Sequence, residues 1–133
     1  MSQENVETAR RWLKAISRGS EDFDRALALV HRDIVLVPPG DQAPYRGAES
    51  LRGWMEPDAF EEQVVKTFDP VVVTDTIILG RQLVMARGTA SGIEMDVLTW
   101  SVWRFDEDGL ITRIELYLDH EEGRAREAAG LRQ

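Results

Sequence analysis

The chain has 133 residues, 43% of them apolar and 30% charged, with a net charge of −8. That balance fits a single domain over 1–133, which buries roughly two thirds of its unfolded surface and needs no covalent staple. The absence of cysteine excludes disulfides, zinc-thiolate sites, iron–sulfur clusters and a thiol nucleophile. An acidic chain with its basic residues scattered among acids argues against nucleic acid and anionic membranes as partners.

The start, Met1-Ser2-Gln3-Glu4-Asn5, lacks the basic and apolar regions of a signal peptide. No apolar run approaches the ~20 residues of a membrane span. A cytoplasmic location is therefore expected. Val6, Ala9, Leu13 and Ile16 then recur at helical spacing beside Trp12, which predicts an amphipathic first helix with Ser2 as N-cap and Gly19 after its end. Asp22 or Ser20 can cap a second helix whose apolar face is Phe23, Ala26, Leu27 and Val30.

Ile34 to Val37 reads as a short strand stopped by Pro38-Pro39-Gly40. Tyr45-Arg46-Gly47 leads to a third helix, about Ala48 to Met55, ended by Pro57. Phe60 to Thr67 is ambiguous and reads best as a helical turn running into a strand. Strand patterns follow: Val71 to Thr74, then Ile77 to Leu79 with Gly80 marking a turn, then Leu83 to Arg87 and a Gly88–Gly92 loop.

Ile93 to Phe105 alternates over its whole length. One face carries Met95, Val97, Thr99, Ser101, Trp103 and Phe105; the other carries Glu94, Asp96, Leu98, Trp100 and Val102. Asp106 to Gly109 forms a hairpin turn, Ile111 to Leu118 the last strand, and Glu121 to Ala129 a short polar helix or tail. Helices first and strands after argue an α+β fold with helices on one face of an antiparallel sheet.

Several of these pieces, in order, resemble the SnoaL-like, ketosteroid-isomerase-like branch of the nuclear transport factor 2 superfamily. They are Glu4-Asn5-Val6, the strand into Pro38-Pro39-Gly40, Tyr45-Arg46-Gly47, the hairpin from Trp103 to Gly109, and Tyr117-Leu118-Asp119. The resemblance implies a cone: N-terminal helices packed on a strongly curved antiparallel sheet that encloses a pocket. It also implies frequent dimerisation through the outer sheet face, here Leu98, Trp100 and Val102. The family includes isomerases, cyclases, hydrolases, dehydratases and non-catalytic binding domains, so the fold fixes no activity.

Carried over by position, the isomerase general base falls on Val37, its oxyanion tyrosine on Trp12, the supporting tyrosines on Leu29 and Met55, and the neutral aspartic acid on Ser101. Valine cannot accept and return a proton. The aspartate that cyclases and epoxide hydrolases carry on the last strand falls on Leu116, and Arg87 has no acid within two residues.

The catalytic residues are therefore unknown, and neither a cofactor nor a metal is implied. His31 and His120 have no partner at metal-ligand spacing. The expected ligand set is Trp12, Val37, Trp54, Thr99, Ser101, Trp103, Leu116 and Leu118, an apolar wall with hydroxyl and indole handles. It suits a small, mostly apolar, sterol- or polyketide-like molecule. Two alternatives stand beside binding: a cofactor-free isomerase, cyclase or hydrolase using a non-standard acid–base group such as His31 or Asp33, and a non-catalytic dimerisation module.

Overall fold

The computed structural model describes residues 2–17, 22–40, 42–55 and 60–131. Helix α1 (Ser2–Ala15) and helix α2 (Phe23–Ala28) precede strand β1 (Val30–Val37) and the short strand β2 (Tyr45–Arg46). A 3-10 turn at Ala48–Ser50 runs into helix α3 (Leu51–Met55). Strands β3 (Phe60–Thr74), β4 (Ile77–Gly88), β5 (Glu94–Phe105) and β6 (Ile111–Leu118) follow. A second 3-10 turn, Asp119–Glu121, leads to helix α4 (Glu122–Ala128).

The strands form one sheet in the order β2-β1-β6-β5-β4-β3. All neighbours are antiparallel except β1 and β6, which run parallel. The sheet is thus mixed rather than wholly antiparallel. The two parallel strands lie far apart in the chain, so no tight hairpin has to join them. Register shifts near Glu62, Lys66 and Val73 on β3, and near Phe105 on β5, bend the strands. Bulges of this kind curve a sheet into an open cone.

The concave side is filled from α1 and α3. Ala9, Trp12 and Leu13 of α1 and Leu51 of α3 pack on Ile34, Leu36, Phe68, Ile78, Trp103, Phe105 and Ile114. The Asn5 side chain, 2% exposed, donates to the Asp75 carbonyl at 2.8 Å and ties α1 to the β3–β4 turn. Asp22 caps α2 through the Arg25 N–H at 3.1 Å.

Four local expectations change. Ser2 lies inside α1 rather than capping it. The ambiguous stretch from Phe60 is strand throughout. The first strand begins at Val30, not Ile34. Gly80 is not a turn residue but the middle of a continuous β4, opposite Ser101. A Cβ there would run into Phe68 Cε1 and come within 2.8 Å of Ser101 Oγ. Glycine stands at 80 because the Phe68 ring crosses the strand at that point. The expected end of the first helix at Gly19, the Ser20 cap and the Pro57 stop lie outside the described residues.

The convex face also differs from expectation. Leu98, Trp100 and Val102 read from sequence as a stripe that a second copy would cover. In the fold, Trp100 and Val102 are 7% and 0% exposed, beneath Ala125 and Ala129 at the α4 end of the chain. Arg81 and Arg126 each stack on the Trp100 ring at 5.5 Å, and Arg104 donates to the Ala128 carbonyl at 2.9 Å. The chain covers most of that stripe itself, so the stripe is no longer a reason for self-association.

Candidate functional site: the concave face of β4–β6

Strand alternation sends Ile78, Gly80, Gln82 and Val84 of β4 to the concave side. Their register partners on β5 are Trp103, Ser101, Thr99 and Val97. On β6, Ile114, Leu116 and Leu118 pair with Trp103, Ser101 and Thr99. Burial along β5 falls steadily from one end to the other. Trp103 and Ser101 are fully buried, Thr99 is half-buried, Val97 is 38% exposed and Met95 47%. The helices cover one end of the cone and leave the other open.

The closed end is aromatic. Trp12 stacks on Trp54 at 5.8 Å, and its ring meets Trp103 edge-on at 5.6 Å; Phe68 meets Trp103 edge-on at 6.0 Å. Offset and edge-to-face pairs of this kind are the favoured aromatic geometries. Trp12 Nε1 is buried with no hydrogen-bond partner among the described residues.

A polar ladder climbs from this cluster toward the open end. Trp103 Nε1 donates to Ser101 Oγ at 2.7 Å. Ser101 Oγ donates to Gln82 Oε1 at 2.9 Å, and Gln82 Nε2 donates to Thr99 Oγ1 at 2.8 Å. Ser101 and Gln82 are 0% and 3% exposed, and such buried groups need these partners to be tolerated.

The concave positions of β4, β5 and β6 carry no carboxylate, imidazole or amine. The acids fall on the other side or at the rim. Asp96 pairs with Lys66 at 3.3 Å and Glu94 with Arg87 at 2.7 Å. Glu115 accepts from the Tyr117 hydroxyl at 3.3 Å. Burial first, and the neighbouring Glu115 charge second, push the Tyr117 phenol above its ordinary pKa. His31 is tied to its own strand, its Nδ1 accepting from the Asp33 N–H at 3.0 Å, and Asp33 is exposed. Among the described residues no group of three metal-ligating side chains assembles.

The fold therefore gathers seven of the eight residues expected from sequence. Trp12, Trp54, Ser101, Trp103 and Leu116 belong to or pack beside the closed end, while Thr99 and Leu118 stand toward the open one. Val37 is the exception. It is in register with Glu115, on the convex face, and Leu36 takes the concave position beside Ile114. Three contributors were missed. Gln82 lies two residues after Gly80, and reading that glycine as a turn left its face undefined. Met95 and Val97 were on the right face, but alternation says nothing about depth.

A surface cleft of about 410 Å3 opens elsewhere, between the first turns of α1 and the β5–β6 hairpin. Glu4, Glu7, Glu107 and Asp108 line it against Arg11. It is acidic, solvated and unsuited to an apolar molecule.

An α+β cone of this order defines the class of protein to which the chain belongs. The SnoaL-like domain family matches residues 9–114, and the chain is a member of it. Solved structures share the fold. A candidate polyketide cyclase from Xanthomonas campestris pv. campestris superposes with a TM-score of 0.78 at 15% identity, covering 91% of this chain and 94% of that one. Rv0760c from Mycobacterium tuberculosis, in complex with estradiol-17β-hemisuccinate, gives 0.70 at 16% identity, over 87% and 94%. The Δ5-3-ketosteroid isomerase from a Mycobacterium species gives 0.70 at 20%, over 89% and 95%. A search of curated proteins finds no match.

Proposed function

We propose that the protein binds a small, mostly apolar, sterol- or polyketide-like molecule on the concave face of its cone. The observation that carries this is the partial exposure of Met95 and Val97 on the inward side of a curved sheet. Apolar side chains left open on a concave surface fit a ligand skeleton better than they fit water. The half-buried Trp54, Thr99, Leu116 and Leu118 extend that surface inward. Trp12, Ser101 and Trp103 stand behind it, and the unpartnered Trp12 N–H offers a deeper donor. Steroid binding by the Mycobacterium tuberculosis relative supports the ligand class.

Binding without turnover is the favoured form. No concave position of β4–β6 holds a group that takes and returns a proton, and the residue at the expected base position, Val37, faces the other way. Titrating the protein with estradiol should change its tryptophan emission saturably, with no isomerisation of a Δ5-3-ketosteroid in a parallel assay. Efficient isomerisation would overturn the non-catalytic form; absence of any saturable change would overturn the binding reading.

Self-association rests on a narrower surface than the sequence suggested. Leu83 and Leu98, half-buried and outside the α4 contact, are the convex apolar positions a second copy would use. Sedimentation at micromolar concentration tests this, and a monomer would refute it.

A further inference from the structure

We propose that Thr99 is the polar selector of the concave site, a hydrogen-bond donor whose direction is fixed by Trp103 and which takes a ligand carbonyl. This deepens the binding reading above and rests on it.

The argument begins at the closed end. An indole N–H can only donate, so Ser101 Oγ must accept from Trp103 Nε1 at 2.7 Å. Ser101 then has one hydrogen to give. Its choices are Gln82 Oε1 at 2.9 Å and the Gly80 carbonyl at 3.5 Å, and the nearer is the far better acceptor. With the Gln82 oxygen turned to Ser101, its amide nitrogen faces Thr99, and Thr99 Oγ1 accepts at 2.8 Å. Each step favours the one after it.

The Thr99 hydroxyl hydrogen is what remains. Among the described residues it meets no acceptor, and the side chain is half-buried beside Val97 on the open concave surface. Aligned hydrogen bonds in a low-dielectric interior polarise one another, which strengthens the last donor. Its natural partner is the carbonyl oxygen of an otherwise apolar molecule, such as a ketone or quinone. One good neutral hydrogen bond corresponds to roughly a 3- to 10-fold gain in affinity.

The test uses 9-fluorenone and fluorene, one planar skeleton with and without a carbonyl, titrated against the intact chain and followed by tryptophan emission. Thr99→Val should weaken fluorenone binding about 3- to 10-fold more than it weakens fluorene binding, whereas Thr99→Ser should keep the fluorenone affinity. In the unsubstituted protein, the Trp103 indole N–H resonance should shift with fluorenone and not with fluorene. This second readout holds even if Thr99→Val does not fold. Equal weakening of both probes, no weakening of either, or an indole resonance blind to fluorenone would overturn the selector role and leave apolar binding standing. Failure of both probes to bind would overturn the binding reading and the selector with it.

Discussion

Trp103 and Met95 stand on the same face of the same strand, yet one is closed to solvent and the other is 47% exposed. Both are apolar and both point into the cone. What separates them is cover. Trp12 of α1 and Phe68 of β3 close over Trp103. Met95 sits near the start of β5, toward the uncovered end. The difference divides the concave side into a region that holds the fold together and a region free to meet something else. A single alternating strand serves both, because alternation fixes a face while the neighbouring helices fix depth.

The largest expected effect breaks the closed end. Trp103→Ala removes a fully buried ring and leaves the Ser101 hydroxyl without its donor. Loss of packing and the resulting cavity should cost about 3–5 kcal/mol of unfolding free energy, measured by urea denaturation. A loss of ligand affinity with stability intact would instead move Trp103 into the binding surface and erase the division.

Gly80→Ala sharpens the same boundary from the opposite strand. The added methyl meets Phe68 Cε1 and Ser101 Oγ, and overpacking of this kind costs about 1–3 kcal/mol. Trimming Phe68 in the same chain, as Gly80→Ala with Phe68→Leu, should show a cost below the sum of the two single changes, because the ring is what the methyl strikes. Strict additivity would contradict the proposed contact.

At the open end the order of effects should reverse. Met95→Ala should change stability by no more than about 0.5 kcal/mol, as expected for an exposed position. It should weaken estradiol binding about fivefold, close to the 1 kcal/mol expected for partly covering one such side chain. A destabilisation as large as that of Trp103→Ala would show that this end is also core.

The smallest effect lies on the convex side and serves as a control. Folding raises the Tyr117 pKa above its ordinary value of 10.0, chiefly through burial and then through Glu115. The folded state then holds the phenol proton more tightly than the unfolded one. That contribution is complete below pH 10 and is lost as pH rises through the folded value. Tyr117→Phe should remove this part of the alkaline loss of stability and leave ligand binding unchanged.

Much of this was legible in the residues. The β5 alternation put Trp103, Ser101 and Thr99 inward and Trp100 outward, and the fold keeps every one of those faces. The last strand, Ile111–Leu118, was readable from its composition and its bounding turns. Three things were not. Gly80 looks like punctuation in a linear chain, and only the crossing Phe68 ring explains a glycine in mid-strand. Val37 was placed by analogy of position, whereas the parallel pairing with β6 sets its face. The cover over Trp100 comes from Ala125 and Ala129, small residues that signal no strong apolar face from sequence. Each of these depends on contacts between distant segments, which local periodicity does not encode.

The central claim, that a ligand meets the open concave end, is tested most directly by methyl resonances of the methionines. Met85 and Met95 lie on adjacent strands, β4 and β5, but on opposite faces of the sheet, since Met85 is in register with Asp96 and Met95 with Ala86. Adding estradiol to the protein labelled at its methionine methyls should shift the Met95 signal saturably and leave Met85 in place. A shift of Met85 with Met95 unmoved would put the ligand on the convex face and contradict the account.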